Sequence, residues 1–290
     1  HKEYRRQRQM CIRDRNQMIL SEEKSMLPQA NVIDCKEARY ILFNTNDYIS
    51  NNLYRSGQWE EFLLTISKFL IDGIDAPVIV DIGANLGAYS IPLAKSIQFK
   101  GGIVYGYEPQ RIVYYQLCGN IVLNGLDNYE ALNLAVGEEN GSIDIPAIDY
   151  HDNHNVGAFS LIRDYRAAHD IEKFSNYKKM TATQMIKLDS VKFSKSPSLI
   201  KIDVEGYELN VLKGGTQFLE QHSYPPLLFE VWEFPWFAKE KAELLNFCTR
   251  LGYEITLNIG NEYVAQHPSN PVKVDFQRQA NGSINMIRLR

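Results

Sequence analysis

The sequence predicts an α/β protein: a doubly wound, mostly parallel sheet of seven strands with helices on both faces, preceded by an N-terminal extension. Two observations carry that prediction. Unbroken β-branched runs such as Val78 to Val80 belong to strands buried on both faces, as parallel strands are. From Val78 onward such runs alternate with stretches of helical period, the succession of a βαβ fold. A hydrophobic fraction of 44 % with 23 % charged residues supplies a full core and excludes a disordered chain.

Residues 1–27 read as a basic tail, with Lys2, Arg5, Arg6, Arg8, Arg13 and Arg15 on no steady apolar period. Within it QRQMCIRDR looks like translated adapter sequence and stands outside the fold argument. Residues 28–76 read as the extension, with a short strand at Ala38 to Asn44 and an amphipathic helix at Gln58 to Leu70. Residues 77–290 form the main domain. Its strands are Val78 to Val80, Ile103 to Tyr107, Glu130 to Val136, Ser198 to Val204, Leu227 to Trp232, Glu254 to Ile259 and Ile284 to Leu289, the last two as neighbours across a long hairpin. Its helices are Ala88 to Lys95, Arg111 to Asn124, Tyr207 to Glu220 and Lys239 to Leu251, the last closed by Gly252. The alternation breaks over about 137–196, where an insertion carries strand-like pieces at Ser142 to Ile148 and Met185 to Leu188.

Charge and cysteines narrow the partners. With 31 basic and 35 acidic residues the chain has a net charge of −4, and without residues 1–20 the remaining 25 and 33 give −8. Nucleic acid is therefore not an expected partner. Cys11, Cys35, Cys118 and Cys248 show no C-x-x-C spacing, which fits a reducing, cytoplasmic setting without a zinc site. No apolar run reaches the roughly 18 residues of a membrane span, and no apolar h-region follows the basic start.

In an open α/β sheet, ligands bind beyond the carboxyl ends of the strands. The first main strand ends in Asp81-Ile-Gly83-Ala84-Asn85-Leu-Gly87 and the second in Glu108-Pro109, 21 residues beyond Gly87. A glycine turn followed about 20 residues later by an acid is the pattern of a nucleoside site. The glycines are spaced G-x-x-x-G, unlike the G-x-G-x-x-G of a dinucleotide site, and Asp81 stands where two phosphates would approach. S-adenosylmethionine has no phosphate and carries a sulfonium and an ammonium, so acidic strand ends suit it.

VIVDIGANLGAYSIPLA, IVYGYEP and above all LIKIDVEGYELNVLKGG resemble the FkbM-type family of S-adenosylmethionine-dependent methyltransferases. The resemblance spans about Asp47 to Trp232, with GAFSL at Gly157 to Leu161 and Leu188-Asp189 among its marks. It implies a class I Rossmann-like methyltransferase fold and O-methylation of a sugar, glycan, polyketide or related small molecule. By that resemblance Asp81, Gly83, Asn85 and Gly87 line the methionine moiety, Glu108 the ribose diol, and Ala135 and Val136 the adenine edge, with Ala84 and Pro109 also among the cofactor-binding residues. Asn85 replaces the middle glycine of the general class I pattern, as is common in this family.

The acceptor side falls to the fourth main strand. Its end presents Asp203 and Glu205, followed by Glu208, with Glu230 and Glu233 at the end of the next. Asp203 is the expected general base, with Glu205 beside it, orienting a hydroxyl and taking its proton. Two other arrangements stay open: Asp203, Glu205 and Glu230 holding a divalent ion, or Glu205 and Glu208 capping the following helix. His151 and His154 are solvated, a metal-ligand pair or a base near the acceptor, and Trp232, Phe234, Trp236 and Phe237 are an aromatic wall or plain packing. A nucleotide-dependent oxidoreductase and a catalytically silent cofactor-binding module are the competing functions.

Overall fold

An antiparallel hairpin comes first: β1 (Ala30–Asp34) pairs with β2 (Arg39–Phe43), Ala30 opposite Phe43 and Asp34 opposite Arg39. The computed structural model describes residues 27–146, 148, 150, 151, 160–162 and 180–289, so residues 1–26 of the basic tail, His154 and Gly157 lie outside the described residues. Helix α1 (Tyr48–Ser56) follows, started by Asp47, whose carboxylate accepts from the Ser50 N–H at 2.9 Å, and stopped by Gly57 at φ 68°. Helix α2 (Glu61–Ile71) buries Leu63, Leu64, Ile66 and Leu70 on one stripe, the period expected of it.

The main domain then runs in chain order through β3 (Val78–Ile82), α3 (Ser90–Ile97), β4 (Ile103–Tyr107), α4 (Arg111–Leu123) and β5 (Tyr129–Leu132). Next come β6 (Ala135–Val136), β7 (Gly141–Pro146), β8 (Met180–Ile186), β9 (Leu199–Ile202), α5 (Glu208–Lys213), α6 (Thr216–Gln221) and β10 (Leu227–Glu230). The chain closes with α7 (Ala238–Arg250), β11 (Glu254–Ile259), β12 (Glu262–Gln266), β13 (Lys273–Arg278) and β14 (Ile284–Leu289).

The principal sheet has seven strands in the order β11-β12-β10-β9-β3-β4-β5, all parallel except β12, which runs antiparallel to both neighbours. Alternate residues feed two cores. Ile79, Val104, Leu199 and Leu228 pack on one face with Leu63, Leu64, Ile66 and Leu70 of α2, Ile91 and Leu93 of α3, and Leu117 of α4. Val80, Ile82, Ile200, Ile202, Leu227 and Phe229 pack on the other face, against Val211 and Leu212 of α5, Phe218 and Leu219 of α6, and Leu244 and Cys248 of α7.

Three sequence expectations change. The strand that pairs with Glu254–Ile259 is Glu262–Gln266 and not Ile284 to Leu289, which pairs with β13 in a separate two-stranded sheet. The reason is the turn at Gly260-Asn261, with Gly260 at φ 56°, which folds β12 straight back on β11. The expected strand Glu130 to Val136 is two strands in two sheets: β5 ends the principal sheet, whereas β6 pairs with β8 in a three-stranded sheet that also holds β7. Asn133 sits at the break and donates to the carbonyls of Glu108 (2.8 Å) and Pro109 (3.0 Å), tying it to the loop after β4. The expected helix Tyr207 to Glu220 divides at Gly214-Gly215. Gly214 is required where it abuts the loop after β6, since a Cβ there would lie 2.0 Å from the Gly137 carbonyl oxygen, and paired glycines weaken a helix interior.

The extension is fastened to the sheet domain through side-chain amides at α4. Asn120 Oδ1 accepts from the Ile41 N–H at 2.6 Å, Gln116 donates to the Ile41 carbonyl at 2.6 Å, and Asn124 accepts from the Arg39 N–H at 2.9 Å. These bonds cover the outer edge of β2, which would otherwise offer unpaired backbone groups. Among the described residues, no helix is long and apolar enough to cross a membrane.

Candidate active site

Strand order reverses between β3 and β9, and a cavity with about 1160 Å³ of empty space, part of it open to solvent, lies beyond their carboxyl ends. Asp81, Gly83, Ala84, Asn85, Glu108, Pro109, Ala135, Val136, Asp203 and Glu205 all line it. Gly87, also expected there, is not among the lining residues. Its φ of 87° and the approach of Ile91 and Leu117, 2.6 and 2.8 Å from where a Cβ would stand, give it a packing role behind the turn.

The turn after β3 is built for close approach. Gly83, at φ 87°, leaves no room for a side chain, since a Cβ would fall 1.8 Å from the carbonyl oxygen of Asp203. Asn85 takes the left-handed region at φ 50°, which asparagine tolerates better than most residues, and its Oδ1 accepts from the Leu86 N–H at 2.7 Å. Glu108 joins this turn to the next: its Oε2 accepts from the Asn85 N–H at 2.9 Å and its Oε1 from the Gln110 N–H at 2.8 Å. Burial pushes the Glu108 carboxyl up to about 7, against the pull of those two N–H groups.

Asp81 is 1 % exposed, and neither of its carboxylate oxygens has a well-formed hydrogen bond among the described residues. The neighbouring Ser90 hydroxyl is paired with Tyr129 Oη at 2.7 Å. Burial raises the Asp81 pKa, while Lys201 and the nearby Ser90 hydroxyl act in the opposite direction. Lys201 is buried too, with Nζ 2.7 Å from Asp203 Oδ2 and 5.0 Å from the centre of the Tyr89 ring. Burial alone would lower the Lys201 pKa, but Asp203, Glu60, Asp81 and Glu262 together hold it well above the ordinary lysine value.

The acceptor-side acids gather at the same strand ends. Asp203, Glu205 and Glu230 can each bring a carboxylate oxygen within 4.8 Å of the others, a spacing open to a hard cation or to the hydroxyls of one ligand. Glu205 adopts φ 54°, a strained conformation for a residue with a side chain. Burial pushes both Glu205 and Glu230 well above the ordinary glutamate range, and Asp203 adds to the effect. Glu208 is buried, and its Oε1 accepts from the N–H groups of Val204 (3.1 Å) and Gly206 (3.2 Å), which precede the helix; it ties the loop after β9 together and does not cap α5, whose N-cap Tyr207 has no side-chain capping bond.

Other residues stand differently. His151 does not line the cavity. Trp232, Phe234, Trp236 and Phe237 pack on one another, with ring centres 5.3 to 6.2 Å apart, and are not among the lining residues either. Trp232 still serves the site, donating from Nε1 to Glu230 Oε2 at 3.1 Å. Sequence reasoning missed Tyr48, Trp59, Glu60, Tyr89 and Glu262, which close the cavity from the extension, the start of α3 and β12. Only tertiary structure brings them there. Burial pushes Glu60 up to about 8 and Glu262 to about 7.

These raised carboxyls fix a direction for stability against pH. The folded state binds their protons more tightly than the unfolded chain, so stability is present at low pH and is lost as pH rises through the window from about 4.5 to about 8. The melting temperature is expected to be several degrees higher at pH 5.5 than at pH 8.5. Differential scanning fluorimetry checks this, and a melting temperature that climbs across that interval contradicts it.

The family described as Methyltransferase FkbM domain matches residues 81–255. A search of the curated proteins finds no significant match. Among solved structures, the FkbM methyltransferase of Methylobacillus flagellatus KT is 21 % identical, with a TM-score of 0.43 over 66 % of this chain and 43 % of its own. An S-adenosylmethionine-dependent O-methyltransferase of Thermotoga maritima is 13 % identical, with a TM-score of 0.41 over 86 % of this chain and 68 % of its own. The precorrin-6y C5,15-methyltransferase of Geobacter metallireducens GS-15 is 10 % identical, with a TM-score of 0.41 over 79 % and 87 %. The chain thus spans less than half the length of the first of these.

Proposed function

Because the chain belongs to the Methyltransferase FkbM domain family, we propose that it transfers the methyl group of S-adenosylmethionine to a hydroxyl of a sugar, glycan, polyketide or related small molecule. One observation supports this most: among the described residues, seven carboxylates and a single lysine line the cavity. A ligand with a sulfonium and an ammonium is attracted there, whereas the two phosphates of a dinucleotide would be repelled at Asp81. The buried Asp81 carboxylate, without a well-formed bond of its own, is a natural acceptor for the ammonium. Gly83, Ala84 and Asn85 let the methionine portion lie close to the backbone, with Gly87 supporting their turn from behind. Glu108 keeps lone pairs beyond its two backbone bonds for the ribose hydroxyls, and Pro109, Ala135 and Val136 offer an apolar edge for the adenine.

S-adenosylmethionine supplies an electrophilic methyl group when bound. The chain's own part is to hold an acceptor oxygen in line with it and to receive the hydroxyl proton. Asp203 fills that role: it is half-buried in the cavity lining, and Lys201 fixes one of its oxygens while the other stays available. Glu205 and Glu230 accept hydrogen bonds from further hydroxyls of the same molecule. Residues 28–76 complete this domain as an extension, and the free thiols of Cys35, Cys118 and Cys248 suit a reducing, cytoplasmic setting.

Isothermal titration of the purified protein with S-adenosylmethionine is expected to give a dissociation constant in the micromolar range, with no binding of NAD. No heat at low millimolar S-adenosylmethionine would overturn the assignment.

A further inference from the structure

We infer that Glu60 makes the cavity selective for S-adenosylmethionine over S-adenosylhomocysteine, the product left when the methyl group departs. The inference rests on the cofactor reading above. The two molecules share the adenosine, the carboxylate and the ammonium, so residues that bind those parts do not tell them apart. They differ by one methyl group and by the positive charge on sulfur, and a negative charge in the cavity that its lysine offsets only in part discriminates on that charge.

Glu60 supplies such a charge once it is ionised, above the value of about 8 to which burial pushes its carboxyl. It opens α2 from the left-handed region, at φ 45°, and makes no side-chain bond to cap that helix. It lines the cavity instead, with Oε2 buried and without a hydrogen-bond partner among the described residues. An unpaired buried carboxylate beside a cavity is stabilised by a cation entering it. The one lysine lining the described cavity cannot offset every acid around it, since Lys201 Nζ lies 2.7 Å from Asp203 Oδ2 and its single charge is shared among Asp203, Glu60, Asp81 and Glu262. Asp81, the other cavity acid without a well-formed bond, is assigned to the ammonium common to both molecules and does not discriminate. Glu60 also lies outside the matched stretch 81–255, so the selectivity belongs to this chain's extension. Methyl transfer would remove the positive charge that Glu60 favours and so loosen the product.

The test is isothermal titration at pH 8.5 and low salt with each of the two molecules, on the wild-type protein, Glu60→Gln and Glu60→Asp. Wild type is expected to bind S-adenosylmethionine at least tenfold more tightly than S-adenosylhomocysteine. In Glu60→Gln that ratio is expected to fall at least fivefold, with S-adenosylhomocysteine affinity unchanged, which also shows that the site is folded. Glu60→Asp keeps the charge and is expected to keep the preference. Equal affinities in wild type, an unchanged ratio in Glu60→Gln, or a ratio lost as fully in Glu60→Asp would each overturn the inference. Failure of both molecules to bind the wild type would instead overturn the cofactor reading beneath it.

Discussion

Replacing Asp203 with asparagine is expected to lower methyl transfer by about 10²- to 10⁴-fold, the usual contribution of a positioned general base. The amide has the shape of the carboxylate and can still accept from Lys201 Nζ, so the change removes the basic oxygen without emptying the space. Cofactor affinity should move by less than about threefold, because Asp203 is assigned to the acceptor hydroxyl and its proton. Turnover is read as S-adenosylhomocysteine released with a panel of monosaccharides and hydroxylated small molecules as acceptors, and binding by titration. A variant that keeps its turnover would remove Asp203 from the base role, and one that loses cofactor binding would move it to the cofactor side. A catalytically silent binding module gives a third result, no turnover in wild type with binding intact.

Replacing Glu108 with alanine is expected to weaken S-adenosylmethionine binding about 100-fold or more. Two effects combine. The ribose hydroxyls lose their charged acceptor, where a hydrogen bond to a charged group contributes roughly 1.5–3 kcal/mol. The Asn85 and Gln110 N–H groups also lose their shared partner, so the turn after β3 is no longer tied to the end of β4. Glu108→Gln separates the two, since the amide oxygen still accepts from one N–H and the charge is gone. Titration of both variants decides the matter, and affinity unchanged in Glu108→Ala would remove Glu108 from the site.

Much of the fold is legible in the sequence because its strands are buried on both faces. Val78–Ile82 and Leu199–Ile202 read as strands from their apolar runs alone, and their carboxyl ends lead directly to Asp81 and Asp203. Strand β1 escapes such reading because its residues are mostly exposed, and α1 because YISNNLYRS has few apolar positions despite a capping Asp47 and a closing Gly57. Strand β12 escapes it although the Gly260-Asn261 turn signal is present. In the site, the acids on strand ends follow from topology. Trp59 and Glu60 do not, since nothing in the period of α2 says that the residues before its first turn face a cavity built from strand ends far along the chain.

Gly83 and Asp203 meet through their backbones, at a separation that a single methyl group would destroy. The Asp203 N–H donates to the Ile82 carbonyl at 2.9 Å, and the N–H groups of Gly83 and Ala84 both reach the Tyr107 carbonyl at 2.9 Å, so the ends of β9, β3 and β4 are joined past the last rung of the sheet. Mutational effects in these three loops therefore cannot be independent. A change at position 83 acts on the turn after β3 and on the Asp203 backbone together, and its free energy will not add to that of a change at 203, as additivity holds only for sites without shared contacts.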